Sequence, residues 1–307
     1  MTILDLVNSI RDLINSPRKQ SGLLKNSAEW NRLCSSLDFI EDTQLAIEAY
    51  PQFHKVQGDG AYLIIYGILQ TLLLQQDAAK HIGGALNIKV KLPRELEEIR
   101  IIRNSAAGHP MSKKENGLSR SCFIPRRSIS PIGFQLMTVY SENTDIKFSD
   151  VSIPSLIEKQ EKYLCEVLDQ VVAEIERQEM EHRDKHKGTK LIKIFPQTSN
   201  YHFSKIKEAT YSRDRFPTGT ASLETIVNCL ENFRKELSDR GEWGVHTEID
   251  FRYELIEYPL NRLKAYFNSK DDMNEKEAYI FASFLLGQFE LLKEIAKDID
   301  GEYESTL

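Results

Sequence analysis

The chain has 307 residues, 46 acidic against 40 basic side chains, and a formal net charge of −6. At about 150 residues per domain the length suggests roughly two domains, enough to bury a core without disulfide or metal staples. With 41% apolar and 28% charged residues it reads as an ordinary globular protein. Its negative charge excludes a polyanion binder held by net charge alone, though not a local basic strip.

Four cysteines (Cys34, Cys122, Cys165, Cys229) are spread singly, with no Cys-x-x-Cys pair and no zinc spacing. Reduced, partly buried thiols in a reducing cytosol are therefore expected. The opening MTILDLVNSIRDL carries Asp5 and Asp12 and no basic stretch leading into an apolar core, so no signal peptide is expected. The longest near-apolar run, residues 63–74, is shorter than the ~20 residues of a membrane span. A cytoplasmic chain without membrane association is the expectation.

In chain order, LDLVNSIRDLI and SAEWNRLCSSLDFIEDTQLAIEAYP have helical spacing, the second capped by Asn26 or Ser27. A third helix opens after Gly58 and Gly60, closes at Gly83-Gly84, and is apolar over most of its circumference, as in a buried bundle helix. A fourth starts at Pro93 and stops at Gly108, with Pro110 just beyond. SCFIPRRS and GFQLMTVY then read as a short β-hairpin near 120–140, followed by a turn-like SENTD. From Pro154 a long amphipathic helix runs to about residue 187. Residues 188–220 look loop-rich, with KLIKIF as a short strand. Three more helical patterns follow, capped by Thr220 or Ser222 at the first and by Asp272 or Asn274 at the last. The expected architecture is all-α, with a helical domain over 1–187 and a C-terminal helical region of unknown role over 188–307.

The segment that points to chemistry is Arg103-Asn104-Ser105-Ala106-Ala107-Gly108-His109-Pro110. Residues six apart are rotated by roughly 600° on an ideal helix and do not share a face. Arg103 and His109 can converge only if the helix ends between them, and Gly108 and Pro110 supply that stop. Imidazole can take the proton of a ribose 2′-hydroxyl or return one to the leaving oxygen. Guanidinium binds phosphate through paired donors and stabilises charge developing in the transition state. Asn104 could orient either partner. The chemistry suited to this set is RNA cleavage without a metal or other cofactor, giving 2′,3′-cyclic phosphate and 5′-hydroxyl ends. The plain alternative is a surface ion pair for Arg103 and a helix C-terminal cap for His109.

On these residues the chain resembles the HEPN superfamily, whose ribonucleases carry Arg-x(4–6)-His, commonly with a polar residue after the arginine. Here Arg103, Asn104 and His109 match, with five intervening residues, one more than the commoner spacing. The resemblance covers roughly residues 25–187. It implies an all-helical bundle with the motif at a helix end, and a homodimer in which two copies form one composite site. It also implies a bacterial toxin or antiviral defence effector acting on RNA, often tRNA. In such a bundle the long apolar helix packs on the motif helix, so Gln75, Gln76 or Asp77 would hold Arg103. The hairpin is an insertion, and 188–307 lies outside the resemblance.

Immediately downstream, Lys113, Lys114, Arg120, Arg126 and Arg127 are opposed only by Glu115, a basic strip that could track RNA phosphates. Charge supports this placement. Residues 1–110 hold twelve charges of each sign, 111–187 hold 13 acidic against 12 basic, and 188–307 hold 21 against 16. Phe123 and Phe134 on the hairpin could stack bases or pack the hairpin onto the bundle. His182 and His186, at i,i+4, read as an exposed charged helix end rather than a metal site, and Asp77 with His81 as a structural pair. The aromatic runs at Phe251, Tyr253, Tyr258, Tyr266 and Phe267 and at Tyr279, Phe281, Phe284 and Phe289 read as helix–helix core or a surface for a protein regulator. Arg213, Arg215 and Phe216 to Gly219 read as a loop. Two functions of different class follow: a metal-independent endoribonuclease, or a non-catalytic helical interaction module or antitoxin-like partner.

Overall fold

The computed structural model describes residues 1–108, 113–115, 118–140, 146–270 and 272–304, with backbone alone at 113–115, 118 and 119. The described chain is mostly α-helical and divides into two compact units, Met1–Arg177 and Gln178–Leu307.

In the first unit α1 (Ile3–Ile14) opens on a capping box. Thr2 Oγ1 accepts from the Asp5 amide at 3.1 Å and the Asp5 carboxylate accepts from the Thr2 amide at 2.8 Å, holding that carboxyl below its usual range. A short α2 (Pro17–Leu24) follows. Asn26 caps α3 (Ser27–Ala49) by accepting from the Glu29 amide. Then come α4 (Gly60–Ala85) and α5 (Arg94–Arg103). The last, α6, is Ile153–His186, whose residues from 178 on belong to the second unit. Leucine and isoleucine from α1, α3, α4, α5 and α6 fill one core, with Ile10, Ile40, Ile65, Leu69, Leu96 and Leu168 among its wholly buried members. Four glutamines are buried beside it, three of them wholly. Gln160 donates to the Leu72 carbonyl at 3.1 Å and to Gln75 Oε1 at 3.0 Å, and accepts from Gln76 at 2.7 Å; Gln75 donates onward to Gln44.

The expected hairpin is part of a larger antiparallel sheet, in the order β1 (Lys113–Glu115), β2 (Leu118–Phe123), β3 (Gly133–Tyr140), β4 (Ile146–Ser152). On β3 burial alternates, with Phe134, Leu136 and Thr138 turned inward beside Cys122 of β2 and Val151 of β4. Tyr50 and Tyr62 tie the sheet to the helices by donating to the Pro131 and Ile124 carbonyls.

The second unit corrects three expectations. KLIKIF holds a 3-10 turn, Leu191–Ile194, rather than a strand, because the Asp300 carboxylate accepts from the Leu191 and Ile192 amides at 2.8 and 2.9 Å. Within the loop-rich stretch lies a helix, α7 (Ser199–Thr210). Arg213–Arg215 form a 3-10 turn leading into α8 (Phe216–Arg240), so residues 216–219 are its first turn and neither Thr220 nor Ser222 is its cap. It closes on Gly241 in the left-handed region at φ 72°. Then come α9 (Thr247–Phe267) and α10 (Glu275–Glu304), the latter capped by Asn274, which accepts from the Lys276 and Glu277 amides at 3.0 Å.

Phe195, Phe203, Phe233 and Phe289 meet edge to face in the core of this unit. Of the aromatic runs, Phe267 and Phe289 are core, whereas Phe251, Tyr258, Tyr279 and Phe284 are exposed. His182 and His186 are not on an exposed end: His182 bonds the Tyr303 hydroxyl at 2.9 Å and His186 is buried. All four cysteines are free thiols, and burial pushes Cys229 up to about 12. Among the described residues no helix is long and apolar enough to cross a membrane.

Candidate active site

Three ion pairs fasten α5 to its neighbours. Arg100 meets Asp77 of α4 at 2.7 Å, Lys80 of α4 meets Glu97 at 3.7 Å, and Lys159 of α6 meets Glu98 at 3.2 Å. The Lys159 bond and charge hold the Glu98 carboxyl below its usual range. The α-helix ends at Arg103 and continues as a π-helical turn, Asn104–Gly108. A π turn closes over five residues instead of four and commonly marks functional positions. Residue 108 therefore stands over residue 103. A Cβ on Gly108 would lie 2.6 Å from Arg103 Nη1 and 3.2 Å from Asn104 Oδ1, so glycine is required for the guanidinium to lie against the backbone there.

Arg103 itself is half-buried and fixed by two side chains. Gln70 Oε1 accepts from its Nε at 3.1 Å and from Nη2 at 2.5 Å, and Asn104 Oδ1 accepts from Nη1 at 3.0 Å. Of the five N–H donors of a guanidinium these bonds use three, leaving one on each terminal nitrogen. His109 lies outside the described residues; the residue before it, Gly108, is the one packed against the Arg103 guanidinium.

The supporting residues expected from the resemblance are corrected. Asp77 engages Arg100, Gln75 and Gln76 face the buried glutamine network, and Arg103 is held by Gln70. The helical phase of α4 explains this. Positions 70 and 77 are seven apart and share the face toward α5, while 75 and 76 point into the core. Asp77 does not pair with His81, which is exposed.

Of the basic strip, Lys113 and Lys114 contribute backbone to β1, which pairs with β2. Arg120 sits on β2 opposite Tyr140. Arg126 forms an exposed ion pair with Asp59 at 3.1 Å, of the kind worth at most about 1 kcal/mol. Arg127 is exposed in the turn after β2. Phe123 is exposed, while Phe134 is buried and packs the sheet onto the helices. Strand β2 packs beside the π turn.

No family model, curated protein or solved structure matches the chain.

Proposed function

We propose that this chain is a metal-independent endoribonuclease of HEPN type. The observation that carries the reading is the fixed guanidinium of Arg103, with two donors uncommitted among the described residues, lying against the residue that precedes His109. In the proposed reaction the His109 imidazole takes the proton of a ribose 2′-hydroxyl as that oxygen attacks the adjacent phosphorus. The two remaining Arg103 donors stabilise charge on the non-bridging oxygens, and Asn104 keeps the guanidinium in place. The 5′-oxygen leaves with a proton from an imidazole, giving a 2′,3′-cyclic phosphate and a 5′-hydroxyl.

An apolar stripe around Gln70 supports the homodimer that the resemblance implies. Leu63, Tyr66 and Leu74 of α4 and Ile101 of α5 are all exposed, and a second copy covering them would bring two Arg103 sites together. The proposed setting is cytoplasmic, with RNA (tRNA among the candidates) as substrate and a toxin or antiviral role. A protein regulator would act through the C-terminal unit. The same stripe supports the second reading, a non-catalytic interaction module.

Incubating the protein with total RNA in EDTA separates the two. Chelator-resistant cleavage with cyclic-phosphate ends, lost in His109→Ala while the dimer persists, is the expected result. Unchanged cleavage by that variant would remove the mechanism, and no cleavage of any RNA by the native chain would favour the interaction module.

A further inference from the structure

The pleat of the sheet sorts its side chains by face. Residues 134, 136 and 138 of β3 turn to the core, so 135, 137 and 139 face outward. Register extends this face across three strands. Phe123 lies opposite Met137, which lies opposite Phe148; beside that row, Ser121 lies opposite Val139 and Val139 opposite Ile146. Phe123, Ile146 and Phe148 are exposed at 44%, 54% and 54%, a contiguous apolar patch on an outer sheet face. Next to it, Arg127, Ser128, Gln135 and Asp150 line a shallow depression. Arg127 makes no ion pair among the described residues; the carboxylate on this face, Asp150, lies opposite Gln135 in the row beyond Phe148.

We propose that this outer face is a platform for unpaired RNA bases. Phe123 and Phe148 each stack one base, with Met137 between them, and Arg127 holds the intervening phosphate. The proposal rests on the ribonuclease reading for the choice of RNA and adds to it that the substrate is single-stranded where it meets the sheet. Strands are about 4.8 Å apart, so the two rings stand roughly 9.5 Å apart, too far for neighbouring stacked bases and suited to splayed ones. Exposed aromatic faces beside a cation suit a strand with exposed base π-faces, which an RNA duplex does not offer. Exposed rings on an edge strand are otherwise a liability in a sheet.

The test uses the full chain and a 2′-O-methyl oligouridine of about 12 nucleotides, within the span single-strand binders cover. This probe lacks the attacking hydroxyl, so its binding is read whether or not the chemistry above is right. Fluorescence anisotropy should show Phe148→Ala and Phe123→Ala each weakening binding about tenfold, with Phe148→Tyr retaining it. Arg127→Gln should lower the salt dependence by about one counterion. Native affinity in Phe148→Ala, or equal binding of a duplex of the same length, would overturn the proposal. Variants that change self-association in sedimentation instead of RNA affinity would reassign the face to protein docking and overturn it too.

Discussion

Gln70 holds Arg103 through one amide oxygen, which accepts from both Nε and Nη2 of the guanidinium. The fork is thereby set in orientation without being neutralised, since a neutral amide takes no charge from it. Gln70→Ala should therefore lower RNA cleavage at least tenfold through loss of alignment, while leaving Tm within a few degrees. Gln70→Glu should be worse in activity than in stability, because a carboxylate competes with the phosphate for the guanidinium. Parallel cleavage assays and thermal unfolding of the two variants check this.

Gly108→Ala isolates the close approach at the π turn. The added methyl group meets the far end of the Arg103 side chain, which can swing away, rather than backbone. Stability should be unchanged or slightly higher, as alanine restricts the unfolded chain, while cleavage falls on the order of a hundredfold. A large fall in Tm would show instead that the turn is chiefly structural.

The glutamine network predicts a stability effect remote from any chemistry. Gln160→Leu keeps the volume but leaves Gln75 Oε1 and the Gln76 side-chain amide without their partner in the core, and removes the side-chain bond to the Leu72 carbonyl. Each buried group left unpaired costs about 1–3 kcal/mol, so a loss of roughly 3 kcal/mol or more is expected. Urea unfolding followed by the fluorescence of Trp30, which packs on this core, measures it.

The second unit should show opposed pH effects from two histidines. Glu242, nearly buried, accepts from Tyr303 at 2.9 Å and bonds His246 Nε2 at 3.0 Å, and that bond raises His246 above its ordinary 6.5. Its stabilisation is full below 6.5 and is lost as pH rises through the folded pKa. His186 is shifted the other way, first by burial and then by the Arg240 charge, so it destabilises the folded state progressively as pH falls below 6.5. His246→Gln should flatten the alkaline-side decline and His186→Gln the acid-side one. Unfolding followed at Trp243 between about pH 5 and 9 separates the two.

Much of the helical architecture is legible in the sequence because caps and periodicity are local. Asn26, Pro93 and Asn274 mark real helix starts, and the apolar spacing of α1, α4 and α6 is that of their buried faces. What escapes notice depends on partners distant in sequence. Strand β4 has five consecutive exposed residues, with Ile146 and Phe148 of its short alternation turned to solvent, so pairing with β3 defines it rather than core burial. KLIKIF is rich in strand-favouring residues, yet the carboxylate of Asp300, more than a hundred residues on, claims its amides. In α7, Phe203, Ile206 and Ala209 are spaced for one buried face, but Pro196 and Pro217 on either side disguise it as loop.

At the candidate site the chemistry-bearing types stand in one short segment, which is why Arg103 and Asn104 are found from the sequence. Gln70 is not, because nothing in α4 alone tells which of its glutamines faces α5. The same limit exchanged Phe134 for Phe148 as the exposed ring: without β4 there is no register from which to see the outer row.

The π turn makes helix width and chain length a single variable here. Deleting either Ala106 or Ala107 would let Asn104–Gly108 tighten to an ordinary α turn, with the glycine then four residues after Arg103 and still one turn above it. The segment therefore behaves as a gauge: a homologous turn one residue shorter would need plain α geometry to keep the same residue against the arginine, and one residue longer could not keep it there at all.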